Sequence, residues 1–175
     1  MIQLGMTNYP IVSQLLSAGE ITLDYLEVHG PFVDEARRAF PEKRMLLHNS
    51  LYQWSLTHAD GYQHKDAAHL TVQRLQAARS AWYSLHLGFS AAEVDFVGEA
   101  MAPLSEVQLR GLVLERSIAV LNQICALLPV PVLIENLDYN PTGAYEYVCE
   151  PGFIRTVLEN TNTYLLLDLA HARVS

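Results

Sequence analysis

The chain reads as an α/β fold built on a parallel sheet, and three observations point there. Short apolar runs alternate with longer helical patterns, so that strand–helix recurs about five times before a final strand. The apolar runs are continuous rather than strictly alternating, as in strands covered on both faces. No solenoid-type repeat, low-complexity segment or linker divides the 175 residues, so 1–175 is expected to be a single domain. With right-handed crossovers, two architectures remain: a doubly wound sheet or a (β/α)8 barrel.

Residues 2–9 are expected as the first strand and 11–18 as a short helix, with Gly19 placed to end it. Residues 23–29 (LDYLEVH) form the second strand, 31–40 a helix and 43–49 (KRMLLHN) the third strand. A loop over 50–61 leads to a helix over 64–79, and 81–88 (AWYSLHLG) is the fourth strand. Residues 89–103 read as a loop. Ser105 and Gln108 have capping-box spacing, and Val107, Leu112, Val113, Ile118, Leu121, Ile124 and Leu128 recur near the helical period until Pro129 and Pro131. Residues 132–137 (VLIENL) make the fifth strand, 151–160 a helix and 163–169 (TYLLLDL) the sixth strand.

Composition narrows the function. Eleven basic and nineteen acidic residues leave a net charge of −8 and a pI near 5.2, which argues against a phosphate-backbone binder, so no nucleic-acid partner is expected. Half the residues are hydrophobic and only 17% charged, which argues against disorder. Cys125 and Cys149 have neither disulfide-framework nor zinc-finger spacing. No apolar run reaches the roughly 18–20 residues of a membrane span, so no membrane partner is expected. The start, MIQLGMTNYP, lacks the basic and apolar regions of a signal peptide, and the expected address is the cytoplasm.

The polar residues at the strand ends carry the functional signal. Strand two ends in Glu27-Val28-His29, strand three in His48-Asn49, strand four carries His86, strand five ends in Glu135-Asn136, and strand six in Asp168 with His171 three residues on. In a parallel barrel these ends converge on the face that holds the active site. Imidazoles and carboxylates together are ligand chemistry for a divalent transition metal. Any single His on an apolar strand is more often a satisfied core residue. Glu135 and Asp168 are stronger, because each follows three apolar residues, no Lys or Arg adjoins either strand, and a buried carboxylate without a partner costs several kcal/mol. Arg173 is the nearest cation to Asp168 in sequence.

Other residues carry weaker signals. His58, His64 and His69 read as solvated side chains, the last two being spaced wrongly for one helix face. Tyr52, Trp54, Trp82, Tyr83 and Phe89 suit either a pocket wall or packing, with packing favoured for Trp82. Ser50 and Ser84 lie near histidines without a GxSxG elbow, and Gly5, Gly30 and Gly88 form no nucleotide-binding motif. Cys149 lies in the loop after strand five, where a cysteine is usually not functional.

At LDYLEVHG, LLH, SLHLGF, VLIENLDY and LLLDLAHA the sequence resembles the multinuclear-iron proteins of the xylose-isomerase-like TIM-barrel superfamily. That group includes the oxidase that makes methanobactin and relatives that modify cysteines in ribosomally made peptides. The resemblance implies metal ligation by His48, His86, Glu135 and Asp168, with Glu135 bridging. It implies that Glu27, His29 and Asn136 orient the ligands or the substrate, and His171 is grouped with them. The implied cofactor is a divalent transition metal, iron ahead of manganese or zinc, and the implied reaction is iron-dependent oxidation of a peptide cysteine. The family usually has Asn-Asn shortly after the strand-six aspartate, whereas Ala170-His171 stands here. An Asp followed by a similar His-Ala sequence also occurs in sugar isomerases and epimerases of the same superfamily, which makes that activity the rival. A non-catalytic incomplete barrel is the third reading. Six strands against the barrel's eight imply a partial barrel lacking strands seven and eight. Its open edges are expected to drive self-association or to accept a partner protein, beside a peptide substrate.

Overall fold

A computed structural model describes residues 3–49, 55–98 and 100–174. Six parallel strands form one sheet: β1 (Gly5–Thr7), β2 (Tyr25–His29), β3 (Arg44–Asn49), β4 (Tyr83–His86), β7 (Val132–Glu135) and β8 (Thr163–Leu166), adjacent in that order. Helices α1 (Pro10–Ser17), α2 (Val33–Ala39), α3 (Ala67–Ala78), α4 (Arg110–Leu127) and α5 (Pro151–Glu159) make the crossovers, and α6 (Leu169–Val174) follows β8. Neighbouring strands run parallel throughout, in an incomplete barrel whose outer strands are β1 and β8.

The strand sequences explain which face is covered. In β2, Leu26 and Val28 are fully buried while Tyr25, Glu27 and His29 alternate with them and stay half-buried. The covered side is the main core: Leu26, Val28, Met45, Leu47, Tyr83, Leu85, Val132 and Ile134 pack against Val33, Ala36, Leu75, Val120, Leu121, Ile124, Phe153 and Val157. The opposite side of the sheet presents the polar strand-end residues. Helix ends follow local chemistry. Gly19, at φ 72°, closes α1 with its N–H on Leu16 O. In α2, Asp34 and Glu35 stand in the first turn and Arg37 and Arg38 in the last, matching the helix dipole.

Four sequence expectations change. Residues 89–103 are not a plain loop: β5 (Val94–Val97) and β6 (Ala100–Pro103) pair as an antiparallel hairpin over a second core of Phe89, Ala91, Val94, Met101, Leu137, Ala144 and Tyr145. There is no capping box. Helix α4 starts at Arg110, because Ser105 Oγ instead accepts the Glu93 N–H and Gln108 Nε2 donates to Thr57 O. The first and sixth strands are shorter than expected, since Pro10 opens α1 and Asp168 precedes α6. The helix expected over 64–79 begins as a 3-10 segment, Gly61–Asp66. Of the expected loop 50–61, residues 50–54, with Ser50, Tyr52 and Trp54, lie outside the described residues, as does the side chain of His64.

Two outcomes follow from this packing. Gly88 sits at φ 103° just beyond β4, where a Cβ would meet Leu56 N at 3.2 Å. Gly88→Ala should therefore cost about 1–3 kcal/mol in urea unfolding. The outer strands leave Leu4, Met6, Tyr164, Leu165 and Leu167 exposed. Apolar edges of that kind pair with further chains, so light scattering should show mass rising with concentration. A mass held at the 19.6 kDa of one chain at high concentration would contradict it.

Candidate metal centre

Strand register brings the polar residues level. His29 pairs with His48, His48 with Ser84, His86 with Glu135, and Glu135 with Leu166, all at the C-terminal ends of parallel strands. Of these, His29, His48, His86 and Glu135 line a cavity of about 700 Å³, together with Thr7, Glu27, Asp138, Phe89, Phe96 and Met101. Four imidazoles among its lining residues are successive neighbours. The ring centroids are 5.3 Å apart from His29 to His48, 5.0 Å from His48 to His86, and 6.4 Å from His86 to His171.

Glu135 is the centre of the cluster. Its Oε2 lies 3.6 Å from His48 Nδ1 and 3.9 Å from His86 Nε2, and its Oε1 lies 3.4 Å from His171 Nδ1. Asp168 Oδ2 is 3.7 Å from the same His171 nitrogen. Two groups thus have ligand atoms within 4.8 Å of one another: His48, His86 and Glu135, and Glu135, Asp168 and His171. The carboxylate they share turns one oxygen to each.

The electrostatics match a cation site. Burial, with neighbouring imidazoles behind it, pushes His48 down to about 3 and His86 down to about 4. Both rings are therefore neutral at physiological pH and keep a lone pair. Burial pushes Glu135 up to about 7, and Glu27 and Asp168 push the same way. Glu135 is 9% exposed, and the described cavity lining holds four carboxylates and four imidazoles without a Lys or Arg. A divalent cation would supply the missing positive charge, and neutral imidazoles with carboxylates are a donor set for it. His48, His86 and Glu135 thus form a potential metal-binding site.

The remaining sequence candidates separate clearly. Glu27 and His29 line the cavity, Thr7 Oγ1 donates to Glu27 Oε1 at 2.8 Å, and Asn136 reaches across to residue 168. His58 Nδ1 accepts the Asp60 N–H, and His69 meets Gln73 one turn along α3, both apart from the cavity lining. Trp82 stacks on Tyr25, Tyr83 is in the core, and Phe89 packs edge-on against Tyr145 at the cavity wall. Cys149 is half-buried, and burial pushes its thiol up to about 12, which leaves little thiolate. Sequence reasoning did not assign Ser84 a place in the cluster. It is fully buried with Oγ 3.0 Å from His48 Nδ1, and its position two residues before His86 on one strand was the available signal. It also missed the hairpin that brings Phe96 and Met101 to the cavity.

Known structures show the same architecture. The D-psicose 3-epimerase of Clostridium cellulolyticum, solved with D-tagatose, superposes with a TM-score of 0.64 at 10% identity, over 99% of this chain and 66% of that one. The family 2 AP endonuclease of Brucella melitensis gives 0.64 at 15% identity, over 99% and 71%, and endonuclease IV of Thermus thermophilus gives 0.52 at 12%, over 97% and 62%. The chain therefore spans just under two thirds of the epimerase's length. Identities this low establish the fold alone, an incomplete barrel of the TIM-barrel type. Comparison with curated protein sequences finds no match. Residues 11–175 match the model of the family described as RiPP precursor modification enzyme MbnB/TglH/ChrH, and the chain belongs to that family.

Proposed function

We propose that the chain is an iron-dependent oxidase, or a piece of one, acting on a cysteine of a ribosomally made peptide. The observation that carries this reading is the convergence of His48, His86 and Glu135 at the strand ends of a chain belonging to a peptide-modifying family. Iron held there would supply redox chemistry and exchangeable positions for a thiolate and O₂. His48 and His86 offer neutral nitrogens to it, and Glu135 Oε2 completes the set. Asp168 and Glu135 Oε1 would hold a second ion, with His171 beside them. Glu27, fixed through Oε1 by Thr7, and His29 stand on the cavity wall as groups that orient the peptide.

With a net charge of −8 and, among the described lining residues, no Lys or Arg to hold a phosphate backbone, a nucleic-acid partner is disfavoured. Among the described residues no helix is long and apolar enough to cross a membrane, and we place the protein in the cytoplasm.

Three measurements test the reading. Elemental analysis of anaerobically purified protein should find iron, and His86→Ala should lower Fe(II) affinity at least tenfold. Manganese or zinc instead of iron would favour the isomerase or epimerase reading, and no metal would favour a non-catalytic barrel. In metal-free protein, Glu135→Gln removes a buried carboxylate without a cation. Thermal unfolding at neutral pH should show it as stable as the wild type or more so, by about 1–3 kcal/mol. The stabilisation that metal confers on the wild type should be lost with it.

A further inference from the structure

We infer that Asn136 is a positioning residue that sets both Asp168 and His171 against Glu135. The inference rests on the metal reading above and deepens it, and it begins from where the sheet ladder stops. Strands β7 and β8 pair as far as Glu135 and Leu166. Beyond that point the peptide groups of residue 168 have no strand partner in the ladder. The Asn136 side chain takes that place: Nδ2 donates to Asp168 O at 3.0 Å, and Oδ1 accepts the Asp168 N–H at 2.8 Å. A side-chain amide carries one donor and one acceptor face, like a peptide group, so it continues the pairing past the end of β7.

The main chain of Asn136 makes a third bond. Its carbonyl oxygen lies 2.9 Å from His171 Nδ1. A carbonyl only accepts, so Nδ1 bears the proton and the lone pair of the ring is on Nε2. Asp168 is restrained from the other side too, since its Oδ1 accepts the His171 N–H at 2.8 Å. That leaves Oδ2 as the oxygen turned to the His171 ring, 3.7 Å from Nδ1. One residue, 7% exposed, therefore fixes the main chain beneath Asp168 and the ring of His171 through three polar groups. Being next to Glu135 in sequence, it ties their spacing to the central carboxylate. The histidine does not need a neighbouring carboxylate to set its tautomer, because the Asn136 carbonyl does so.

The test uses the whole chain, with Asn136→Ala and Asn136→Asp. The second keeps an acceptor for the Asp168 N–H, loses the donor, and covers the event that the alanine variant fails to fold. Two readouts are taken: hydrogen exchange at the amides of Asp168 and His171 in metal-free protein, and anaerobic Fe(II) affinity. Asn136→Ala should open both amides, leave β4 and β7 as protected as in the wild type, and weaken Fe(II) binding at least tenfold; Asn136→Asp should fall between it and the wild type. Opened amides with unchanged Fe(II) affinity would overturn the positioning role. Loss of protection throughout the sheet in both variants would overturn it as well, by making Asn136 a residue of general stability. A wild type that binds no metal would overturn the proposed function and this ligand-setting role together, whereas a wild type that binds and variants that bind equally would overturn only the role of Asn136.

Discussion

A buried carboxylate at a strand end needs positive charge, and two of the imidazoles nearest Glu135, His48 and His86, are neutral. Its neighbours His48 and His86 are held well below the usual imidazole range by burial, so they do not answer its charge. Burial, with Glu27 and Asp168 adding repulsion against an opposing pull from His171, raises the carboxyl to about 7. Such an arrangement is costly for a protein without a ligand. The same arrangement is economical for a protein with a cation, because neutral imidazoles keep their lone pairs and Glu135 presents one oxygen to each side. The cost of Glu135 and the availability of the imidazoles have a common cause in burial.

Parallel strand geometry is what makes the cluster possible. Crossovers return every strand in the same direction, so all C-terminal ends share a rim. Register then decides which residues are level, and His48 stands beside Ser84 while His86 stands beside Glu135. Side-chain alternation does the rest: Leu26 and Val28 go to the helices, and Glu27 and His29 go to the cavity. A slip of one residue in β2 or β4 would send the polar set into the helix layer, and burying those groups there opposes such a slip. The hydrophobic layer and the polar cluster thus constrain the same register.

Much of this was legible in the sequence. Continuous apolar runs such as LLLDL and VLIEN mark covered parallel strands, and the first polar residue after each run marks the rim. The hairpin β5–β6 was not legible, because Asp95, Phe96 and Val97 are exposed and β5 lacks the continuous apolar run of the covered strands. Its order comes from tertiary bonds, such as the Met101 N–H on Tyr145 Oη. The capping-box pattern at Ser105 and Gln108 misled for the same reason, since both side chains are used in contacts distant in sequence. Asp168 lines the cavity, but its second use was hidden. A pattern of residue types does not show that the next residues turn into a helix whose N–H it accepts.

That double use explains how an acid at this position gains direction without a rigid strand beneath it. Asp168 stands past the last ladder pair of β8, where a side chain on free backbone would sample several rotamers. The His171 N–H occupies one of its oxygens, the Asn136 amide fixes its main chain, and the remaining oxygen is left for the site. Because His171 is itself held by the Asn136 carbonyl, both residues are tied to the end of β7. A sequence with two asparagines in place of Ala170 and His171 would lack this imidazole. Its contribution to the second group around Glu135 would then have to come from different atoms, so the departure at 170–171 bears on that group and leaves the His48–His86 side as it is.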